Sequence, residues 1–319
     1  MLWNLFQSPL PRAEEYLKAN ARNHHCVVEG HDVVLKDNFA QLLIWEITED
    51  VDIIYLKWPS GKLHPAQKLV NGHKENMKAS MQTDVKNGLW NYFYEDPILT
   101  TKEFPADADT TSTAYLSLPE SYLFEVADVH LVLDAMASNR SPEGIMQTYF
   151  CNDRPRVSPE VCSNMLRVFH RFGRGDDPSI KKTEDWVVQC LENRACFYGN
   201  RFYSTPETFL YFTARLYVEY SQGALKDRLE TIKEALLERI NIPTNPLPLA
   251  LRISACQAVG LNPSIYREDL KKLMSLQEQD GGFPAGHFCC IGRTGARIGN
   301  RGLTTALAAK ILRNEIRNH

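Results

Sequence analysis

The sequence predicts an all-α protein, and three observations carry that prediction. Apolar residues recur at helical spacing in roughly ten to twelve stretches of about 10–16 residues. Proline, glycine and serine punctuate short gaps between them. No segment alternates apolar and polar residues for long enough to read as a strand. No strict internal period accompanies the stretches, which argues against a regular helical-repeat solenoid. The 319 residues are expected to form a single domain spanning 1–319, with residues 1–50 an N-terminal arm and first helices packing on it.

Each element has a local reason. Met1-Leu2-Trp3-Asn4-Leu5-Phe6 is too short and too uncharged for a secretory signal and reads as an amphipathic arm. Residues 9–22 follow Ser8 and read as a short helix with a polar face. Residues 39–47 place Phe39, Leu42, Leu43 and Ile47 at helical spacing. Residues 51–56 fit a short strand and a helix continuation equally. Residues 65–85 read as a polar helix carrying Leu69, Met77 and Met81, ended by Gly88-Leu89-Trp90. Glu95-Asp96-Pro97 makes a turn.

Beyond residue 107 the chain reads as helical almost without interruption. Residues 126–138 set Val129, Val132, Leu133 and Met136 on one side. Residues 159–172 start with Ser158 as cap and Pro159 at the first helical position, and carry Val161, Met165, Val168, Phe169 and Phe172. Helices at 183–191, 206–220 and 224–240 follow. The helix at 246–259 stops at Gly260, the one at 264–276 starts from Ser264, and 303–316 closes the chain.

Composition excludes several classes of function. Lys and Arg number 36 against 39 Asp and Glu, a net charge of −3, so there is no basic footprint for nucleic acid. No apolar run reaches the length of a membrane span. Eight cysteines occur without a sign of secretion. Cys151, Cys162, Cys190, Cys196 and Cys256 lie among apolar residues, where free cysteine packs as a small hydrophobe. Cys289-Cys290 and His24-His25-Cys26 lack the spacing of a zinc site. The chain is expected to be cytoplasmic and reduced.

One stretch carries chemistry: Asp107-Ala108-Asp109-Thr110-Thr111-Ser112. Two carboxylates two residues apart precede a small, apolar, helix-compatible segment. Short carboxylate and hydroxyl side chains cap free N–H groups, so the acids belong at or just before a helix start. Taken alone, the hexapeptide fits an ordinary N-cap as well as it fits a catalytic pair.

This hexapeptide resembles the D-x-D-T-T-S variant of the D-x-D-D motif of class II terpene cyclases. That variant is found in drimane-type sesquiterpene cyclases, including those fused to a haloacid-dehalogenase-like phosphatase. His170-Arg171-Phe172-Gly173-Arg174-Gly175, Tyr198-Gly199-Asn200-Arg201-Phe202-Tyr203 and Gly299-Asn300-Arg301-Gly302-Leu303-Thr304-Thr305-Ala306 fit the same family. So does Gln277-Glu278-Gln279-Asp280-Gly281-Gly282-Phe283, which resembles the turn motif of triterpene cyclases and of protein prenyltransferase β subunits. The resemblance covers residues 85–315. It implies an α/α toroid of helical hairpins around a central cavity, and a reaction begun by protonating an alkene or epoxide.

The resemblance makes Asp109, the middle acid, the general acid, with Asp107 orienting it. Thr110 stands where the triterpene cyclases have a third aspartate; it hydrogen-bonds but carries no charge, and it is expected to face substrate. Burial and a like charge both raise a carboxyl pKa, as protonating an alkene requires. A carbocation needs a dry site and aromatic faces, and Trp90, Phe283 and Phe288 flank motif turns. Arg174, Arg201, Arg293, Arg297 and Arg301 lie beside glycine-bearing loops, where arginine forks and a helix start can hold a diphosphate. No Walker loop is present.

The implied substrate is a linear prenyl diphosphate, farnesyl diphosphate first, with Mg²⁺ bridging the diphosphate rather than held in a protein cage. A haloacid-dehalogenase nucleophile loop is absent ahead of residue 85, so the diphosphate is expected to stay on the product, with a separate phosphatase as a possible partner. His130, His170 and several tyrosines are candidate bases. Two other readings stay open: cyclisation of a prenylated or epoxidised meroterpenoid, and a non-catalytic helical-toroid binding protein. A prenyltransferase β subunit fits less well, because Asp280, His287 and Cys289 do not match its zinc-ligand spacing.

Overall fold

The computed structural model describes residues 9–57, 59, 88–123, 127–220 and 223–317. The expected arm at 1–6 and polar helix at 65–85 lie outside the described residues. The chain divides into two compact units, Lys36–Val187 and the pair of segments Met1–Leu35 and Val188–His319.

In the unit Lys36–Val187 the described helices are α2 (Asn38–Thr48), α3 (Ala108–Ser117), α4 (Glu120–Leu123), α5 (Val129–Ser138) and α6 (Pro159–Arg171). Helix α7 (Lys181–Glu192) continues into the other unit. The core of this unit is α3, packed between α2 and α6. Helix α3 is buried on every side from Ala108 to Leu116, although it is rich in hydroxyls. Its hydroxyls turn back onto its own backbone: Thr111 Oγ1 donates to Asp107 O, Thr113 to Asp109 O and Ser117 to Thr113 O. Bonds of this kind satisfy a hydroxyl without a partner elsewhere. Helix α2 is capped by Asp37, which accepts the Ala40 N–H, and ends at Glu49 in the left-handed region.

In the other unit, α1 (Pro9–Ala19) precedes strands β1 (Cys26–Val28) and β2 (His31–Leu35). Helices α8 (Pro206–Arg215), α9 (Gly223–Leu229), α10 (Ile232–Leu237), α11 (Pro246–Ala258) and α12 (Arg267–Ser275) follow, then strands β3 (Cys289–Cys290) and β4 (Arg297–Asn300), and α13 (Arg301–Arg317). Helix α11 packs on α8, α12 and α13, and α13 packs on α1.

The structure corrects the all-α expectation. A small antiparallel sheet runs in the order β2-β1-β4-β3, with Val27 opposite Gly299 and Cys289 opposite Ile298. Its strands are two to five residues long, and β1 and β4 come from opposite ends of the chain, so no local alternation announces them. Gly299 is required here: a Cβ would sit 1.7 Å from Gly286 O.

Three helix boundaries also shift. The helix at 206–220 leaves α geometry at Arg215 and continues as a π turn over Leu216–Tyr220. The stretch 224–240 is two helices, α9 and α10. Helix α12 starts at Arg267 rather than near Ser264, because Asn262 Oδ1 takes both the Ser264 N–H and its hydroxyl in a local turn.

The turn at 277–283 is built as its residues suggest. Gln277 Nε2 donates to Pro9 O and Gly281 O, and the Gly282 N–H reaches Asp280 Oδ1. Gly281 has φ +90°, and a Cβ there would lie 2.3 Å from Arg12 O, so this position admits only glycine.

Candidate active site

The start of α3 is held from two sides. The Asp107 N–H donates to Trp90 O at 3.0 Å, and the Ala108 N–H to Thr148 O at 2.7 Å. The Trp90 N–H returns to Thr111 Oγ1 at 2.9 Å. Two extended segments thus clasp the motif and fix where its side chains begin.

Asp107 is the N-cap of α3, in extended conformation at φ −131°, ψ 154°. Its Oδ1 accepts the Thr110 N–H at 2.7 Å, and its Oδ2 accepts the Thr110 hydroxyl at 3.0 Å. The N-cap expected of the hexapeptide is therefore Asp107. Burial pushes the Asp107 carboxyl up to about 8; the donors from Thr110 oppose that rise and the charge of Asp109 adds to it. Thr110, expected to face substrate, is fully buried and commits its hydroxyl to this cap.

Asp109 occupies the first turn of α3 and is 6% exposed. Asn164 on α6 donates from Nδ2 to Asp109 Oδ1 at 3.1 Å. Behind Asn164, Arg167 Nη1 donates to Asn164 Oδ1 at 3.0 Å, and Arg167 Nη2 pairs with Glu46 Oε1 of α2 at 2.7 Å. Sequence reasoning missed Asn164, Arg167 and Glu46. A signal was present: Asn164 falls on the same helical face as Val161 and Val168, and Glu46 on that of Phe39 and Leu43. A polar residue on an apolar stripe is either paired or functional.

At the other end of α3, Arg171 donates to the carbonyls of Tyr115, Leu116 and Leu118. A guanidinium there satisfies terminal carbonyls and complements the negative end of the helix dipole. Within α3, Ser112 Oγ and Tyr115 Oη are buried without a hydrogen-bond partner among the described residues.

The remaining expected site residues fall in both units. Trp90 is buried beside the acid motif, in the same unit. Phe283 and Phe288 belong to the other unit, both buried, with the Phe283 N–H on Thr305 Oγ1. Of the five arginines, Arg174 belongs to the unit of the acid motif and the other four to the other unit. Arg174 pairs with Asp134 and Asp177. Arg201 and Arg293 are exposed. Arg297 lies 3.5 Å from Glu29. Arg301 pairs with Glu278 and Asp280 and lies over the Tyr16 ring, 4.6 Å from its centre.

Residues 293–296 lie in the turn between β3 and β4, 297–300 are β4, and Arg301 opens α13. The start of α13 is capped by Asn300 Oδ1, which accepts the Leu303 N–H at 2.8 Å. Of the candidate bases, His130 is exposed, and burial holds His170 below the usual histidine range. Among the described residues no three His, Cys, Asp or Glu side chains come together to hold a metal, and no helix is long and apolar enough to cross a membrane.

Comparison with known proteins places this geometry. The family described as sesquiterpene cyclase astC-like C-terminal domain matches residues 10–172. Drimenol cyclase drtB of Aspergillus calidoustus is 37% identical over 312 residues, which is 98% of this chain and 52% of that protein. The chain thus spans about half the length of this relative. Among solved structures, an unliganded variant of the type II terpene cyclase MstE from Scytonema superposes with a TM-score of 0.66 at 12% identity, covering 99% of this chain and 98% of that one. Another variant of that enzyme, in complex with its substrate geranylgeranyl dihydroxybenzoate, gives 0.64 at 13% identity with the same coverage. These structural likenesses give the fold, that of type II terpene cyclases. The family match extends over the acid motif and all of α6, and with the similarity to drtB along nearly all of its length the chain belongs to the astC-like sesquiterpene cyclase C-terminal domain family.

Proposed function

We propose that this chain is a class II terpene cyclase in which Asp109 protonates the distal alkene of a linear prenyl diphosphate, farnesyl diphosphate first. The observation that carries the reading is a buried carboxyl in the first turn of a buried helix, held by a neutral amide donor, in a chain of a sesquiterpene cyclase family. A proton moves from Asp109 to the alkene carbon, the cation closes two rings to a drimane skeleton, and loss of a proton ends the sequence. One proton enters and one leaves, so the reaction is an isomerisation. Asp107 caps the helix and holds Asp109 in place, and its raised pKa disfavours a second charge beside the acid.

The α/α toroid over residues 1–319 is part of this proposal, supported by the fold likeness to type II terpene cyclases. Mg²⁺ enters as a companion of the substrate diphosphate, and no step on the protein is routed through it. These 319 residues leave the diphosphate on the product, and a separate phosphatase releases the alcohol that the name of the drtB relative implies. The test is product analysis by mass spectrometry after incubation with farnesyl or geranylgeranyl diphosphate. A drimane diphosphate from the first is expected. Free alcohol and phosphate from purified chain would reject diphosphate retention, and absence of any cyclised product would reject the reading.

A second reading is favoured by the ion pairs that engage Arg174 and Arg301. Here the substrate is a prenylated aromatic, as in the structurally similar MstE, and the arginines are structural. Binding of inorganic diphosphate separates the two: measurable affinity supports the first, and none supports the second.

A further inference from the structure

The buried series Glu46, Arg167, Asn164 ends on Asp109, and the roles of its members rest on the proposed assignment of that carboxyl as proton donor. Donor chemistry fixes the orientation of each member. A guanidinium has N–H groups and no acceptor, so the Asn164 atom 3.0 Å from Arg167 Nη1 is the amide oxygen. The amide nitrogen then faces Asp109 and donates to Oδ1. In a neutral carboxyl the better acceptor is the carbonyl-type oxygen, which leaves the acidic hydrogen on Oδ2. Glu46 balances the guanidinium and holds its fork.

We propose that Arg167 and Glu46 are positioning residues of the cyclisation. By holding the Asn164 amide in one orientation, they place the transferable proton of Asp109 on Oδ2 and stabilise the carboxylate left when it departs. As the O–H bond of Asp109 breaks and the new C–H bond forms, negative charge grows on the carboxylate. The hydrogen bond from Asn164 strengthens with that charge, and a cation one residue behind polarises it further. An Asn164 amide turned the other way would present its oxygen to Asp109 and move the proton to Oδ1. Among the described residues, the other charged or titratable groups on the surrounding elements include Asp37 and Glu49 at the ends of α2, Asp107 and Tyr115 on α3, Glu160, Cys162, His170 and Arg171 on α6, and Tyr92 and Tyr149 in the clasping segments.

The experiment measures kcat and KM for farnesyl diphosphate across pH on the whole chain. One variant is Glu46→Gln/Arg167→Met, which removes both charges and leaves neither unpaired, a change buried pairs tolerate. Its turnover is expected to fall by about 10²-fold with KM nearly unchanged. A less stabilised carboxylate has a higher pKa, and a general acid works while protonated. The alkaline limb of the turnover profile should therefore move to higher pH, a shift that loss of packing alone does not produce.

Arg167→Lys keeps the charge but not the fork and should fall between wild type and the double variant in both readouts. It also serves as the test if the double variant fails to fold. Native circular dichroism with turnover within about twofold of wild type and an unmoved limb, in either variant, overturns the proposal. Asp109→Asn in the same assay separates the two levels. If it is inactive while the relay variants behave normally, the relay is wrong and the acid stands. If it still cyclises, both fall.

Discussion

Arg252 and Arg167 are each 1% exposed, one in each unit, and their surroundings differ. Arg252 on α11 meets Glu207 of α8 at 3.3 Å and Asp269 of α12 at 2.9 Å, and donates to the carbonyls of Arg239 at 2.6 Å and Ile242 at 2.9 Å. Arg239 adds a second cation on Glu207. Two arginines and two carboxylates close on one another and tie three helices to the turn after α10. Arg167 meets Glu46 and then hands its hydrogen bonding through Asn164 to Asp109. Desolvating a guanidinium is expensive wherever it happens. In one unit that expense is offset by a closed staple; in the other the network ends on a group that can gain and lose a proton. A buried arginine is therefore informative only through where its network ends.

The largest expected effect tests the open end. Asp109→Asn keeps the size and much of the hydrogen bonding of the side chain but removes the transferable proton. Turnover should fall by at least about 10³-fold, with circular dichroism and substrate binding close to wild type. A variant that cyclises farnesyl diphosphate near the normal rate would remove the functional half of the comparison. A variant that misfolds would make Asp109 a structural residue, and the two arginines would then belong to one class.

Arg252→Met tests the closed end. Removing the cation leaves Glu207 and Asp269 buried with less than their charge balance, and breaking such a network costs about 3–5 kcal/mol. Denaturant unfolding should show that loss, while turnover per folded molecule stays near wild type. A large loss of turnover with little loss of stability would mean that the Arg252 network also reaches the chemistry.

The residues differ in how legible these networks were. Pro159 at the first helical position announced α6, with the Ser158 hydroxyl going to Glu160 rather than capping the helix, and the two acids followed by Thr110 announced the start of α3, because a cap acts within four residues of chain. Asp109 was singled out by the resemblance of the motif, not by the cap, which is Asp107. Asn164 and Glu46 showed only as polar residues on apolar stripes; their bonds to Asp109 and Arg167 span 55 and 121 residues, so the pairing itself was not readable. The sheet escaped for the same cause, since Cys26 pairs with Asn300. The partners of the arginines were equally beyond a local reading: Gly299 serves a close backbone crossing, and Arg301 pairs with acids of the turn at 277–283.

A smaller effect concerns the cap between the two acids. Burial raises the Asp107 carboxyl from 3.8 to about 8. A carboxyl raised on folding contributes stability that is full below its unfolded pKa and is lost as pH rises through the folded value. Stability should therefore decline from about pH 4 to about pH 8. Asp107→Asn caps as well as aspartate and does not titrate, so it should flatten that decline and lower turnover far less than Asp109→Asn. Asp107→Ala should cost about 1 kcal/mol of stability from the lost cap. Urea unfolding at both ends of the pH window checks each expectation. An undiminished slope in Asp107→Asn would place the titration on another group.

The smallest expected effect separates both buried arginines from an exposed one. Arg301 is 30% exposed, and its partners Glu278 and Asp280 are 48% and 53% exposed. Water and salt screen such a pair, so Arg301→Ala should cost only about 0–1 kcal/mol, less at high ionic strength. Part of that loss comes from the guanidinium stacked on Tyr16 and is insensitive to salt. If Arg301 instead holds the substrate diphosphate, the same variant should weaken farnesyl diphosphate binding by about 2–4 kcal/mol with stability hardly changed. Stability and affinity measured on one preparation decide between an ion pair of the 277–283 turn and a diphosphate ligand. Unchanged affinity in Arg301→Ala, Arg293→Ala and Arg297→Ala would move the diphosphate away from this edge, with Arg174 and Arg201 the next to test.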